Sequence, residues 1–378
     1  TILFNEHETR DTEMVSLLHH RIRFTEQVDR ALGDPDALRD GTHEAVAEEI
    51  RERRAVCIKK FRNKLPEATR KQQASMVTLF KEQLDVLADL AASQTPAVLW
   101  AGECRFYRVQ NETAVVCRCG DLETPVGENF PGNDMLVVTS LTREFHRTYL
   151  KASCSAGQLL WVHGPAGTSK TETSLDTARM LGVGCNVIRC TGGLTPEAVA
   201  AVAQSDADPL DPVIFDEFQC LPPDTQEALV AAAGAQRFVV CSGDPNAPDA
   251  TPMPATLAGR TVVSQAMTPP SLEPIAAMML STQGFEKCDA LGIKTVAFFK
   301  ACEDTCSKEP NYDIGLRTYK SATDVAGDAA RAAGYGDEDA LVCDAVATSV
   351  YAAATEADRP LVLAAAKNAF GRDAKVPA

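Results

Sequence analysis

The stretch that decides the fold of this chain is LLWVHGPAGTSKT, residues 159–171. Its first four residues are apolar and predict a buried β-strand. A glycine-rich turn follows, and the residues from Lys170 to about Leu181 predict a helix. Strand, glycine-rich turn and helix in this order are typical of a P-loop, in which backbone N–H groups at a helix N-terminus surround phosphate oxygens. A chance glycine-rich turn is the alternative, and the order of the elements disfavours it.

The turn supplies the groups that hold the phosphates of a nucleotide. N–H groups of residues 166–171 can surround a β-phosphate, Lys170 brings a positive charge to the β- and γ-phosphates, and the Thr171 hydroxyl suits Mg²⁺. Ser169 departs from the motif, which has glycine before the lysine. If this position requires a positive φ, a serine costs on the order of 1–2 kcal/mol. The predicted nucleotide-binding residues of the turn are Gly164, Pro165, Ala166, Gly167, Thr168, Ser169, Lys170, Thr171 and Glu172.

An apolar strand that ends in acids is the second element of a nucleotide hydrolase, and residues 213–217, VIFDE, supply it. We predict that Asp216, together with Thr171, belongs to the Mg²⁺ shell. Glu217 would polarise the attacking water. Two acids after three apolar residues are common by chance, but the pair becomes informative when it follows a P-loop at this distance.

Residues 136–245 alternate strand-like and helix-like runs, a pattern that predicts a parallel sheet with helices on both faces. The predicted strands lie at 136–138, 159–162, 186–188, 213–215 and 238–240. The predicted helices end near Leu150 and Leu181 and cover 196–204 and 223–233. We expect a proline-rich loop over 246–270 and helices over 271–378.

The front of the chain has a different character. Over 12–92 the apolar spacing predicts three or more helices, with breaks at Gly33-Asp34-Pro35 and near Leu65-Pro66. A basic run at 51–64 is interleaved with glutamates, so we interpret it as a solvated face in preference to a nucleic-acid contact. Aromatic and valine residues between glycines over 95–135 predict short strands and turns.

The bulk composition narrows the class of protein. The 378 residues exceed one usual domain, and 52 acidic against 37 basic residues give a net charge of −15. Such an acidic chain is a poor candidate for broad contact with nucleic acid. We find no signal peptide and no membrane-spanning run, and the 13 cysteines fit reduced thiols in the cytoplasm. The cysteine spacing does not predict a structural zinc site.

Several motifs together resemble the dynein heavy chain, in particular its first AAA+ module. GPAGTSKTET at 164–173 resembles the dynein GPAGTGKTET, and FDEF at 215–218 resembles its acidic box, which continues with Asn-Arg instead of Gln219-Cys220. LVVTSLT at 136–142 is similar to LVITPLT, and NYDIGLR at 311–317 is similar to YDFGLR. More weakly, RFTEQVDRAL at 23–32 resembles the helical end of the dynein linker. The resemblance runs from about residue 22 to the end.

The resemblance implies an α/β AAA+ P-loop fold, a parallel sheet flanked by helices with a small helical subdomain after it. We expect a helical linker-like segment at 1–95, a strand and turn connector at 96–135, a large subdomain at 136–270 and a small one at 271–378. By position, Val138, Thr139 and Leu141 would border adenine, and Arg317 would be the second sensor. The implied cofactors are ATP or ADP with Mg²⁺.

The departures from the family motifs favour nucleotide binding without fast turnover. Ser169 replaces a glycine and Ser140 replaces a proline. The first sensor, an asparagine in the family, falls on Asp244, whose charge would repel a γ-phosphate. Since a motor of this family needs six modules, a stalk and a microtubule-binding tip, this chain alone is not expected to walk on a microtubule.

Three functional hypotheses follow, of which the linker-like front end disfavours one, an unrelated AAA+ remodeller. We favour a dynein-like module that binds ATP or ADP, with weak or no hydrolysis, inside a microtubule-associated assembly such as an axoneme. The alternative is the active ATP-hydrolysing module of a full-length dynein heavy chain. The expected partners are dynein-like, axonemal or other cytoskeletal proteins, with only indirect microtubule association and no nucleic acid or membrane. The expected location is the cytoplasm, on the cytoskeleton of a cilium or flagellum.

Overall fold

The architecture comes from a computed structural model of the chain. It describes residues 12–33, 42–109, 114–129, 136–154, 158–191, 193–195, 211–232, 238–248, 250–254, 262–269, 271–307 and 316–376. Two compact units emerge. The first comprises residues 1–47 and 85–270, and the second comprises residues 48–84 and 271–378.

Three long helices open the described chain, as the apolar spacing predicts. They are α1 (Thr12–Gly33), α2 (Thr42–Lys60) and α3 (Glu67–Ala92). The second predicted break is confirmed, because α3 begins directly after Pro66, a residue that disfavours helix in the residue before it. A short helix, α4 (Pro96–Ala101), follows.

A small antiparallel sheet confirms the strands predicted between 95 and 135. It contains β1 (Arg105–Arg108), β2 (Val115–Cys119) and β3 (Leu122–Val126), in that order. Phe106 lies opposite Cys117, and both side chains are buried in the core of the first unit.

Over the described residues, the main sheet of the first unit has five parallel strands in the order β5-β6-β7-β4-β8. Their bounds are β4 (Leu159–His163), β5 (Asn186–Arg189), β6 (Val213–Asp216), β7 (Val239–Gly243) and β8 (Val262–Ala266). The described residues of this region form the helices α5 (Ser140–Ser153), α6 (Lys170–Met180) and α7 (Pro223–Ala232). The predicted α/β fold with a parallel sheet is therefore confirmed.

Both faces of the sheet are buried at its three central strands, which explains why β4, β6 and β7 are largely apolar instead of alternating. Leu160, Ile214 and Val240 pack into one core cluster with Phe145 of α5. Their chain neighbours Leu159, Val213 and Val239 pack into a second cluster. Because successive side chains of a strand point to opposite faces, each of the central strands β4, β6 and β7 supplies both clusters.

Two predictions about this region are wrong. Residues 136–138 form no strand, because the chain there leads into Thr139, whose side chain caps α5. The region predicted as a loop over 246–270 contains the edge strand β8, which pairs with β4 from Leu159 opposite Val262 to His163 opposite Ala266. The predicted helix over 196–204 lies outside the described residues.

The second unit is helical over its described part. After residue 270 it contains α8 (Leu272–Ser281), α9 (Cys288–Thr305), α10 (Leu316–Ala333), α11 (Glu338–Tyr351) and α12 (Arg359–Phe370). Glu338 is buried, and it accepts hydrogen bonds from the N–H groups of Glu286 and Lys287 at 3.0 and 2.9 Å. None of the described helices combines the length and apolar character needed to cross a membrane.

Candidate functional site

Three sequence-distant segments meet at one edge of the main sheet. The P-loop follows β4, the acidic pair ends β6, and Asp244 follows β7, which lies between the other two strands. Because the strands are parallel, their carboxyl ends share this edge, which is where ligands bind in open α/β sheets. The order of strands thus brings together the residues that the sequence motifs single out.

Glycine is required at the first position of the P-loop. Gly164 has a φ of 152°, and a Cβ there would lie 2.0 Å from the carbonyl oxygen of Met267. Two backbone hydrogen bonds make this approach close: Gly164 N–H donates to Gly243 at 3.2 Å, and Met267 N–H donates to His163 at 2.7 Å. The start of the loop is therefore held against both neighbouring strands.

Lys170 lies inside the turn that precedes it. Its Nζ donates to the carbonyl oxygens of Gly164 and Pro165, both at 2.9 Å, and its side chain is buried. The carbonyl acceptors offset the cost of burying the ammonium. The positive charge is thereby kept at the mouth of a loop whose Pro165, Ala166 and Gly167 are exposed.

Ser169 adopts the backbone conformation that makes glycine usual at its position. Its φ of 58° and ψ of 30° lie in the left-handed region, and its side chain makes no capping hydrogen bond to α6. The sequence left open whether this position requires a positive φ, and it does. Ser169 therefore bears the steric cost of a Cβ in the left-handed region, and no capping hydrogen bond offsets that cost. Thr168 is buried beside it, and its hydroxyl donates to Pro165 at 2.9 Å.

Replacing Ser169 with glycine is expected to stabilise the P-loop. Loss of the left-handed strain is worth about 1–2 kcal/mol, from which the greater backbone entropy of glycine subtracts about 0.5–1 kcal/mol. We expect Ser169→Gly to raise the free energy of unfolding, measured by urea titration, and to tighten nucleotide binding modestly. Ser169→Ala is the matched control: it keeps the Cβ, so a gain equal to that of the glycine variant would contradict the strain explanation.

Thr171, Asp216 and Ser242 form a hydrogen-bonded group across the P-loop, β6 and β7. The Thr171 hydroxyl donates to Asp216 Oδ1 at 2.5 Å, and the Ser242 hydroxyl donates to the same oxygen at 2.8 Å. The two hydroxyl oxygens are 3.3 Å apart. These are hard oxygen donors of the kind that Mg²⁺ prefers, and a nucleotide site needs only one or two of them because phosphates and waters complete the shell.

Glu217 follows Asp216 in a left-handed conformation, with φ 57° and ψ 41°. Its Oε2 accepts a hydrogen bond from Gln219 Nε2 at 2.5 Å. The backbone turns sharply here into a single 3-10 turn, Phe218–Cys220, so that the adjacent acids do not continue the strand together.

Asp244 is half-buried at the end of β7, and its Oδ1 accepts the N–H of Asn246 at 2.9 Å. Val138 is buried, Leu141 is half-buried against the core, and Thr139 caps α5 by a reciprocal pair of hydrogen bonds with Thr142. Adenine contact at these three positions stays a prediction.

Two further predicted residues are not buried in the core. Glu172 lies in the first turn of α6, where an acid is favoured by the helix dipole. Arg317 lies on α10 of the second unit and is exposed. Its role as second sensor stays a prediction.

Cys190 lies next to the acidic strand but is not a reactive group. Its N–H donates to the Asp216 carbonyl at 2.8 Å. Burial, together with the negative charge of Asp216, raises the pKa of the Cys190 thiol to about 12. The thiol therefore stays protonated near neutral pH and is a poor nucleophile. Among the described residues, no group of three or more His, Cys, Asp or Glu is placed to hold a metal ion by itself.

The motifs did not single out Ser242 or Gly243, and they marked Gln219 only as a departure from the acidic box that 215–218 resembles, with no role assigned to it. Ser242 carries a readable signal, since it is a polar residue at the carboxyl end of an otherwise apolar buried strand. The contact between Gln219 and Gly243 has no local signal, because it joins β7 to the turn after β6: a Cβ on Gly243 would lie 2.1 Å from Gln219 Oε1.

The chain matches a family model described as the hydrolytic ATP-binding site of the dynein motor region, over residues 128–226 and 235–377. Dynein axonemal heavy chain 12 of Homo sapiens is 30% identical over 293 residues, covering 70% of this chain and 9% of the relative. The dynein beta chain of the flagellar outer arm of Chlamydomonas reinhardtii is 28% identical over 364 residues, covering 86% of this chain and 8% of the relative.

The chain thus spans less than a tenth of the length of these two relatives. Among solved structures, the Thermotoga maritima RuvB Holliday junction branch migration motor aligns with a TM-score of 0.35 at 14% identity, over 62% of this chain and 71% of that one. At that level of similarity the alignment carries no functional information.

Proposed function

This chain belongs to the family of the hydrolytic ATP-binding site of the dynein motor region, and from that premise we propose that it binds ATP or ADP with Mg²⁺ at the P-loop after β4. It is a dynein-like AAA+ module. In our proposal it turns ATP over slowly or not at all, and it acts as a nucleotide-bound part of a larger assembly.

The observation that supports nucleotide binding most directly is the hydrogen bond between Thr171 and Asp216. The two residues are far apart in sequence, and only the parallel order of β6, β7 and β4 brings them within 2.5 Å. A P-loop hydroxyl beside an acid on a neighbouring strand is the arrangement that P-loop hydrolases use for Mg²⁺. A chance glycine-rich turn would not be expected to have such a partner.

In this proposal each residue of the site has a separate task. Backbone N–H groups at the start of α6 bind phosphate oxygens, and Lys170 leaves its two carbonyl acceptors to pair with the β- and γ-phosphates. Thr171 and Asp216 hold the Mg²⁺, which neutralises charge on the β- and γ-phosphates when it is bound. Glu217 would orient the attacking water, and Val138, Thr139 and Leu141 would border the base.

Two features favour slow turnover. Ser169 holds a strained conformation in the phosphate-binding turn itself. Asp244 has a carboxylate at the position where dynein heavy chains have a neutral asparagine. Its negative charge would repel the γ-phosphate. The retained pair Asp216 and Glu217 supports the second candidate, an active hydrolytic module of a full-length dynein heavy chain. We also propose that residues 136–270 form the large AAA+ subdomain. Residues 271–378, which include Arg317, would form the small helical subdomain.

The curated relatives are described as axonemal and flagellar dynein chains. We propose that this chain likewise works in a cytoskeletal assembly of a cilium or flagellum, with dynein-like or other axonemal proteins as partners and with indirect microtubule contact. The net charge of −15 supports a protein partner over a nucleic acid.

Nucleotide binding and turnover by the purified chain test the proposal. We expect ATP and ADP to bind in the presence of Mg²⁺, with weaker binding for Asp216→Asn because the cation loses a charged ligand. Turnover of the wild type should lie close to that of Glu217→Gln. Strong turnover that disappears in Glu217→Gln would establish the second candidate instead, and absence of binding by the wild type would reject both.

A further inference from the structure

We propose that the side-chain amide of Gln219 restrains Glu217 and thereby limits ATP turnover at this site. The inference rests on the proposed function, since it assigns a regulation to the same nucleotide site. Gln219 is a positioning residue in this scheme: it acts on Glu217 and is not itself assigned a contact with nucleotide.

The contact is short and has a charged acceptor. Gln219 Nε2 lies 2.5 Å from Glu217 Oε2, and the two residues are separated by only Phe218 in the 3-10 turn. Hydrogen bonds to a carboxylate are stronger than those between neutral groups. Glu217 is also held in a left-handed backbone conformation, so its side chain leaves the turn in a defined direction.

Gln219 has little freedom to move away. Its side chain is 4% exposed, and its carbonyl oxygen accepts the N–H of Thr251 at 2.8 Å. Its Oε1 packs against Gly243, where a Cβ would lie 2.1 Å away, and it has no hydrogen-bond partner in the described part of the chain. The amide cannot simply flip, because Oε1 would then face the carboxylate of Glu217 and repel it.

The restraint opposes the task proposed for Glu217. A carboxylate that orients an attacking water must offer that water an oxygen in the right direction. Here one oxygen is already occupied by a buried donor, and this bond also sets the direction of the other oxygen. The hydrogen bond from the Gln219 amide therefore has to break before Glu217 can align the attacking water. Hydrolysis requires this extra step, whereas nucleotide binding does not.

Shortening the side chain breaks the contact with little other change. Gln219→Asn keeps the amide but withdraws it by one carbon–carbon bond, about 1.5 Å, which takes the nitrogen beyond hydrogen-bond range of Glu217 on an unchanged backbone. Gln219→Leu keeps a similar volume and removes the donor. Gln265→Asn is the matched control, because Gln265 is also buried in this unit but its amide bonds to Ala266 and Thr148.

The test measures turnover at saturating Mg-ATP and, separately, the Kd for nucleotide. We expect kcat to rise about tenfold in Gln219→Asn and Gln219→Leu, the factor that corresponds to loss of one charge-assisted hydrogen bond. The Kd should stay within about twofold of the wild type, since no phosphate ligand changes. Gln265→Asn should alter neither quantity.

A double-mutant cycle separates restraint from a general structural effect. In a Glu217→Gln background, the Gln219→Asn change should no longer raise turnover, because the group it releases is gone. A rise that persists in that background would overturn the inference. So would an unchanged or lower kcat in both Gln219 variants with nucleotide binding intact, although the proposed function would then stand.

Gly243→Ala provides a second route should the Gln219 variants fail to fold. A Cβ there would lie 2.1 Å from Gln219 Oε1, so the methyl group displaces the amide without altering its chemistry; it would also lie 2.9 Å from Trp161 Cη2, and that ring has to shift as well. The same Glu217-dependent rise is expected, and its absence in a folded Gly243→Ala protein would contradict the restraint. If the wild type binds no nucleotide, both the inference and the proposed function are rejected.

Discussion

Replacing Lys170 with alanine is expected to weaken the binding of Mg-ATP and Mg-ADP by about a hundredfold or more, a loss of about 2.7 kcal/mol. The ammonium is the one side-chain cation of the P-loop, and charge-assisted hydrogen bonds to phosphate contribute about 1.5–3 kcal/mol each. The measurement is a titration with a fluorescent nucleotide analogue, followed by competition with ATP and ADP.

The chain should stay folded in this experiment. Lys170 is buried, but it donates only to two carbonyl oxygens of an exposed turn, which water can reach when the side chain is removed. Lys151→Ala, in the last turn of α5, removes the same charge from an exposed position of the same unit and should leave binding unchanged. Equal affinity for Lys170→Ala and the wild type would show that the turn does not bind phosphate.

Replacing Gly164 with alanine is expected to lower the free energy of unfolding of the first unit by about 3 kcal/mol or more, because overpacking and a forbidden φ act together. The new Cβ would lie 2.0 Å from the carbonyl oxygen of Met267, a backbone atom that cannot turn aside as a side chain can. The φ of 152° adds a conformation that L-residues rarely adopt.

Gly167→Ala separates the two causes, since Gly167 also has a positive φ, 79°, but a Cβ there meets nothing within 4 Å. Its expected cost is only about 1–2 kcal/mol. Urea unfolding followed by tryptophan fluorescence reports on the correct unit, because both tryptophans, Trp100 and Trp161, lie within it. Similar losses for the two alanine variants would show that the collision with Met267 is not the main cause of the destabilisation.

Much of the site was predictable because its chemistry is local. A P-loop is a contiguous run that must follow a strand and open a helix, and the structure has β4 and α6 in those places. The requirement for a positive φ at Ser169 follows from the same motif and is met at 58°. The acidic pair could be read from an apolar strand that ends in two carboxylates.

The failures came where pairing or capping decides the structure. Residues 136–138 have the composition of a strand, yet their neighbour Thr139 begins α5 with a capping box, and no strand forms. Residues 262–266 follow a proline-rich stretch and contain only two strongly apolar residues, so the local signal for β8 is weak. The strand exists because its backbone pairs with β4, a partner about a hundred residues earlier in the chain.

What the sequence determined by itself is the set of groups available: a phosphate-binding turn, a lysine, a hydroxyl and two acids, each next to an element of recognisable periodicity. What only the tertiary structure decided is which of them touch. The parallel order of β6, β7 and β4 puts Thr171 and Ser242 on the Asp216 carboxylate, and the close approach of Gly243 leaves room for the Gln219 amide to hold Glu217. Periodicity and motifs are properties of neighbouring residues, whereas these contacts depend on strand order and packing between distant segments, which no local pattern encodes.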